Sequence, residues 1–332
     1  MAGAFARTRH VLLAALVAAC LWAPSGAHAK RALCASASAH DEAPVVVVSA
    51  FPAELAPLLR ATTVESTVQV DGREFKVGRL EGVRVALGLT GIGLVNAFDR
   101  ATKALKQFKP AGIVMSGVAG SPHFIGDVVV PARWEQLPTM DVFPVNPAML
   151  QLAKNGATML PTQLDDCATV PPTSPSGALV CMPTQPTVVF GDLGQSSDPY
   201  GGKPLACSPG GGEIFGCDLP TVNVRMVARA AAATTPEISD METAEVARAA
   251  AKRHVPFVAM RAVSDGAGDP KGDRGFPAQF FDYYRLAADN AALATRGFLA
   301  ELNHVAHDQS SRRICRLLAQ RHWQRAGALL GG

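Results

Sequence analysis

An α/β fold is predicted by three stretches of this 332-residue chain, each joining a strand to a helix. The first is Val45-Val46-Val47-Val48, a continuous β-branched run of the kind that fills a central strand buried on both faces. Behind it Ser49-Ala50-Phe51 turns the chain, Pro52 suits the first position of a helix, and Glu54 falls in that helix's first turn. The second is a strand over residues 84–89 that enters Thr90-Gly91-Ile92-Gly93-Leu94-Val95-Asn96 and a helix over 95–108. The third opens on the acidic turn Ser239-Asp240-Met241-Glu242-Thr243-Ala244-Glu245. An Ala-rich segment without Gly or Pro, residues 246–254, then reads as a helix. The apolar run 255–260 reads as a buried strand ending in Arg261-Ala262-Val263-Ser264-Asp265. Ligands of open α/β sheets sit beyond the carboxyl ends of the strands, so this order aims Glu242 and Asp265 into one cleft. Taken singly, each acid is better explained as a helix cap or a strand-ending turn. The pair is what points to chemistry.

The other elements follow in order. Residues 67–70 and 74–77 alternate about Asp71-Gly72, a hairpin signal. A strand over 112–115 runs into the glycine-rich loop Ser116-Gly117-Val118-Ala119-Gly120, and residues 125–131 supply the next strand. The strand, glycine turn and helix at 84–108 have the outline of a dinucleotide site. However, Asn96 stands in place of the third glycine, and the strand 112–115 ends without the acid that grips a ribose. A Rossmann site is rejected, and no cofactor is expected. Residues 138–220 are rich in Pro, Gly, Ser and Thr, and they read as an elaborated surface region with one buried strand, 187–190. An Ala-rich helix is predicted over 223–233. Gly266-Ala267-Gly268-Asp269-Pro270, with Lys271, Gly272 and Gly275, reads as a lid-like loop. A long amphipathic helix over 276–303 follows.

Residues 1–29 have the form of a secretory signal. Arg7, Arg9 and His10 precede an apolar run, 11–22, and Ala27-His28-Ala29 fits a small-residue cleavage site. The run is short for a membrane span. Val17-Ala18-Ala19-Cys20 offers a competing lipoprotein site, so the chain is expected to be exported, periplasmic or secreted, with lipid anchoring at Cys20 as the minority reading. Losing Arg7 and Arg9 lowers the formal charge from +3 to +1, which gives no ground for nucleic-acid or anionic-membrane binding. The six remaining cysteines, Cys34, Cys167, Cys181, Cys207, Cys217 and Cys315, read as disulfides in an exported chain. Cys167–Cys181 and Cys207–Cys217 would close short loops, and Cys34–Cys315 would then tie the tails. There is no Cys-x-x-Cys or His-Glu-x-x-His, and the eight histidines are scattered, so no metal site is expected. A single domain over 44–305 follows a loose lead-in, 30–43. The tail, 306–332, carries Arg312, Arg313, Arg316, Arg321 and Arg325 among Leu317, Leu318, Trp323 and Leu329. A basic amphipathic helix of this kind can lie on a membrane; here a terminal helix docked by one face is preferred.

Asp240-Met241-Glu242, the helix behind it and Arg261-Ala262-Val263-Ser264-Asp265 resemble the nucleoside phosphorylase and nucleosidase superfamily. The likeness is greatest to the methylthioadenosine/S-adenosylhomocysteine nucleosidases and their secreted plant storage-protein relatives, and it extends with gaps over residues 45–303. It implies a three-layer α/β nucleoside phosphorylase-like fold with a mixed, barrel-like central sheet flanked by helices. A homodimer is implied as well, its partner helping to close the 5′ pocket of a purine nucleoside. By the same resemblance Asp265 protonates N7 of the leaving purine and Ser264 orients it. Glu242 binds the ribose hydroxyls, Met241 packs on the sugar, and Glu54 with Arg261 holds the attacking water. Ile92 walls the ribose, Val118, Ala119 and Gly120 lie beneath ribose and base, and Phe280 lies over the 5′ side. The base-stacking phenylalanine is either Phe190 or Phe215, with Phe215 the slightly better match.

Two departures matter. Val118 stands where many members have a serine, and Met115 where phosphorylases carry a phosphate-binding arginine. Phosphate needs fixed cations or aimed N–H donors, so water is the expected nucleophile and adenine-type nucleosides the expected substrates. The alternatives are a phosphate-dependent phosphorylase and a non-catalytic nucleoside-binding or storage protein of the same fold.

Overall fold

The computed structural model describes residues 43–206 and 236–308. The signal segment, Cys20, Cys34, Cys207, Phe215, Cys217, the helix expected over 223–233 and the tail with Cys315 lie outside the described residues.

Strand β1 (Val45–Ser49) is buried along its whole length. It pairs in parallel with β4 (Val83–Leu89) on one side and β5 (Gly112–Phe124) on the other. Its four valines have no polar atom to satisfy, so they fill both faces of a central strand. Beyond β4, β2 (Thr63–Val70) and β3 (Arg73–Leu80) complete an antiparallel meander. Asp71 and Gly72 take φ of 49° and 73°, the two positive values that a two-residue type I′ hairpin turn needs. The predicted hairpin is present, with longer arms.

On the far side of β5 the sheet closes. The order is β5, β12 (Phe257–Ala267), β6 (Val128–Gln136), β10 (Val188–Ser196) and β11 (Ile238–Asp240), and β11 returns to pair with β5 at Ser239–Gly120. β12 is parallel to β5 and antiparallel to β6, so the barrel is mixed. Helices α1 (Pro52–Ala61) and α3 (Pro147–Gly156) pack on α5 (Ala278–His307), while α2 (Leu94–Phe108) packs on α4 (Thr243–Lys252). β1 touches both α1 and α2 and so lies between the two helical groups. The predicted mixed, barrel-like sheet flanked by helices is what forms.

Several boundaries differ from the sequence reading. The expected loop 116–120 is strand, because β5 runs on to Phe124 with β12 beside it. β6 starts only at Val128, since Gly126 turns the chain at φ 93°. Asp265 lies in the carboxyl end of β12, as the sequence predicts.

The elaborated region is more regular than its composition suggested. It contributes β7 (Asp141–Pro144), α3 and a small hairpin of β8 (Cys167–Val170) and β9 (Ala178–Cys181), closed by the Cys167–Cys181 disulfide. Asn290 of α5, fully buried, docks this region: it donates to Gly126 O and Asp165 O at 2.9 Å each and accepts from Asp165 N at 2.7 Å. Asn290→Ala strands two carbonyls and an amide, so we expect a loss of about 3 kcal/mol, read as a lower urea midpoint. An unchanged midpoint would show that the docking contributes nothing.

Candidate active site

Glu54 occupies the third position of α1, behind Pro52, where a carboxylate can reach back to the amides before the helix. Its Oε2 accepts from Ala50 N at 2.6 Å and its Oε1 from Val118 N at 2.7 Å on β5. An exposed first-turn acid would compensate the helix dipole, but this one is buried. Burial pushes its pKa up, while Arg261 and the amides of Val118, Ala50 and Phe51 pull it down; the net direction is upward. Gly117 makes the meeting possible, since a Cβ there would stand 2.2 Å from Glu54 Oε1 and 2.5 Å from Arg261 Nη1.

Arg261 projects from β12 into a cluster of three carboxylates and is itself 1% exposed. Its Nε lies 2.9 Å from Asp240 Oδ2, its Nη2 3.0 Å from Glu242 Oε2 and its Nη1 3.5 Å from Glu54 Oε1. Of these, the Nη2 contact has hydrogen-bond geometry; the other two are ion pairs. The guanidinium's pKa is raised because the charges of Asp240, Glu54 and Glu242 outweigh burial.

The sequence motif assigns Asp240 no task of its own. The structure gives it one. Its Oδ1 accepts from Glu242 N and Thr243 N at 3.2 Å each and from the Ser196 hydroxyl, and its Oδ2 from the Thr243 hydroxyl. It therefore caps α4 from outside the helix. Glu242, at the cap position, is left free to accept from Gly93 N at 2.9 Å and to face Arg261. Burial pushes the Glu242 pKa up to about 8, with Arg261 and the Gly93 amide opposing and Asp240 and Glu54 assisting.

Asp265 sits at the same level of the barrel. Gly120 of β5 pairs with Asp265 on one side and with Ser239 on the other. Ser264 donates to Asp265 Oδ1 at 2.8 Å and lies 3.3 Å from Ala119 O. A Cβ at Gly120 would stand 2.6 Å from Asp265 Oδ2. Burial raises the acid's pKa against the lowering effect of Ser264.

The remaining predicted residues are placed as follows. Met241 is half-buried, and its sulfur lies 3.7 Å from the Tyr200 hydroxyl. Ile92, Val118 and Ala119 are buried, Val118 lending its amide to Glu54. Phe280 is buried on the first turn of α5, stacked on Tyr284 and edge-on to Phe51. Phe190 packs beneath Lys154 of α3 at 5.9 Å. Tyr200 and Gln279 were missed, and neither carries a sequence signal that marks it. Among the described residues no cluster could hold a metal ion, and no helix is long and apolar enough to cross a membrane.

A sequence profile of the phosphorylase superfamily matches residues 44–300, and the chain belongs to that family of nucleoside phosphorylases and nucleosidases. An uncharacterized protein of Mycobacterium tuberculosis is 34% identical over 182 residues, 51% of this chain and 74% of that protein. The 5'-methylthioadenosine/S-adenosylhomocysteine nucleosidase of Shewanella loihica is 27% identical over 260 residues, covering 77% of this chain and 98% of the enzyme. Among solved structures, the nucleosidase of the same name from Neisseria meningitidis, in complex with methylthio-immucillin-A, aligns with TM-score 0.54 at 21% identity over 77% of this chain and 98% of that one. Futalosine hydrolase of Helicobacter pylori aligns with TM-score 0.54 at 17% identity over 79% of this chain and 99% of that one. At these identities the structures establish the shared fold.

The buried cluster has a consequence for stability. An unfolded glutamate titrates near 4.5, whereas folded Glu242 keeps its proton to about 8. Across that window the native state binds more protons than the unfolded chain. The contribution of Glu242 is therefore full below the lower value and is lost as pH rises through the upper one. Glu242→Gln cannot lose it, so its stability relative to wild type should improve between about pH 5 and pH 8. Parallel urea titrations at the two pH values check this, and an unchanged difference would count against the raised pKa.

Proposed function

We propose that this protein is a purine nucleosidase that hydrolyses the N-glycosidic bond of adenine-type nucleosides, with Asp265 as general acid and Glu54 activating water. The observation that carries this reading is the placement of two carboxyl groups with raised pKa against the middle of one strand, β5. Asp265 lies against Gly120, and Glu54 lies against Gly117. A carboxyl group that holds its proton can neutralise a leaving purine, and one that can regain a proton can take it from water.

The C1′–N9 bond breaks, its electron pair passes into the purine, and the Asp265 proton goes to N7. A water oxygen bonds to C1′ and yields its proton to Glu54. Arg261 Nη1, buried with no hydrogen-bond acceptor among the described residues, is a donor for that water. Glu242 would hydrogen-bond the ribose hydroxyls and so fix the sugar in place. Met241 packs on the sugar, and Ser264 holds the Asp265 carboxyl. Ile92, Val118, Ala119 and Gly120 form the walls, Phe280 flanks the 5′ side, and a phenylalanine, with Phe215 preferred, covers the base. A carboxyl at 265 also suits a 6-aminopurine, because it can address both N7 and the exocyclic amine. Nearly full-length similarity to a methylthioadenosine/S-adenosylhomocysteine nucleosidase supports this substrate class.

Charge balance favours water over phosphate. The guanidinium in the site already faces three carboxylates. Arg60 is exposed at the end of α1 and bound to Asp289 at 2.8 Å, and Met115 is buried core. We also read the chain as exported, on its amino-terminal sequence, and as a homodimer. The exposed rings of Phe276 and Phe281 beside Phe280 offer a partner subunit an apolar place to close the 5′ side.

The test is adenine release from adenosine and methylthioadenosine, with and without phosphate. Release should not need phosphate, and it should fall by about 10² to 10⁴-fold in Asp265→Asn and in Glu54→Gln. Strict dependence on phosphate would overturn the hydrolytic reading. Tight nucleoside binding without release would place the chain among binding proteins.

A further inference from the structure

Asp265 lies in an irregular stretch of β12. The register against β5 slips between Val263 and Asp265 and again between Asp265 and Ala267, so Ser264 and Gly266 fall out of step with the ladder. A bulge leaves backbone groups without their strand partners, and a buried N–H left alone is costly. Gly266 N finds its acceptor elsewhere, in the side-chain oxygen of Gln279, 2.9 Å away on the first turn of α5. Gln279 is 4% exposed, and its Nε2 donates to Asp273 O at 2.9 Å. One buried carboxamide thus ties both the residue after Asp265 and the middle of the following loop to the long helix. One turn further along α5, the Tyr283 hydroxyl donates to Asp269 and fixes the same loop again.

We propose that Gln279 is a positioning residue for Asp265: by taking the Gly266 amide it sets the direction of the Asp265 carboxyl and denies that carboxyl a backbone donor. The role as a catalytic aid rests on the reading of Asp265 as the general acid. The denial matters because an N–H donated to a carboxylate stabilises its charged form, and an acid that must hold a proton gains from not receiving one. As built, the carboxyl receives the Ser264 hydroxyl. The titratable side chains on the elements around it are otherwise engaged. His123 of β5 stands 3.9 Å from Glu237, Lys271 lies 3.2 Å from Asp273 and also contacts Asp282 of α5, and Asp269 holds Tyr283. Arg261, earlier on β12, is surrounded by its three acids. Burial and Ser264 therefore govern Asp265.

Two variants of the full chain test this. Gln279→Met keeps the volume and removes both hydrogen bonds; Gln279→Glu keeps an acceptor for Gly266 N. With methylthioadenosine, Gln279→Met should lower kcat by about 10- to 100-fold, as small misplacements of reacting groups do, with KM changed by no more than about twofold. The alkaline limb of its kcat profile should move to lower pH, and Gln279→Glu should recover most of kcat. In the ligand-free protein, hydrogen exchange at Gly266 should become faster in Gln279→Met and remain slow in Gln279→Glu, with β5 unchanged in both. A folded Gln279→Met with unaltered kcat and pH limb would overturn the proposal. Equal losses in both variants with an unmoved limb would do the same, by reducing Gln279 to a structural role. If wild type releases no base, the nucleosidase reading fails separately. Carboxyl-carbon NMR titration of Asp265 then decides, and an Asp265 that titrates identically in wild type and Gln279→Met would sink the positioning role.

Discussion

The enclosure of one guanidinium among three carboxylates is the constraint to which the rest of this structure is fitted. A buried charge without partners is costly, and removing one member of such a cluster typically costs about 3–5 kcal/mol because the others stay buried. Arg261 comes from β12, Asp240 from β11, Glu242 from the start of α4 and Glu54 from α1. A helix from the start of the domain is thereby held to three consecutive elements near its end. β11 is three residues long and meets β5 through a single residue pair, so the ladder alone is a weak closure for the barrel. The ion pair from Asp240 to Arg261 bridges the same gap. Gly117 is part of the arrangement, since any side chain there would occupy the space where Glu54 and Arg261 meet.

The cluster and Asp265 are two different electrostatic environments built on one strand. Arg261 and Asp265 are four residues apart on β12, yet Arg261 is immersed in opposite charge, whereas the acidity of Asp265 depends on burial and a serine hydroxyl. Placing two carboxyl groups in surroundings that perturb them differently is how one site holds an acid and a base at the same pH. The bulges in β12 make the separation possible, because they turn Asp265 out of the regular alternation that would otherwise fix its direction.

Much of this was legible in the sequence, and the parts that were not share a cause. Val45 to Val48 could be read because a β-branched run has few other uses. The Asp240-Met241-Glu242 turn and the Ser264-Asp265 strand end could be read because their order around a helix is local. The glycine-rich stretch 116–120 has the local pattern of a loop. It is strand because β12 and β11 flank it and because Gly117 and Gly120 make room for the side chains of Glu54, Arg261 and Asp265. That requirement is set by residues more than 50 positions away, and no local pattern records it. Asp240 was overlooked for a related reason: a helix-capping acid and an ion-pair acid look alike in sequence, and here one side chain is both.

The elaborated region also reaches the site, which a reading of it as surface ornament did not foresee. Ser197 N donates to Asp240 O at 2.9 Å, so the chain leaves β10 already bound to the cluster. Asp198 takes the amides of Tyr200, at 2.7 Å, and of Gly202, which shapes a tight turn. Asn96, the residue that breaks the dinucleotide pattern, binds Leu205 O at 3.0 Å and holds the segment on α2. Tyr200 is thereby laid on Gly93, where a Cβ would stand 3.2 Å from its ring, with its hydroxyl toward the Met241 sulfur. Burial, with the charges of Glu242 and Asp198, pushes its pKa up to about 12. Tyr200 is therefore a neutral phenol at working pH and brings polarity beside Glu242 without adding to its charge. The glycine at 93 serves two neighbours at once: its amide goes to Glu242, and its bare α-carbon faces an aromatic ring from a segment that begins more than 100 residues later.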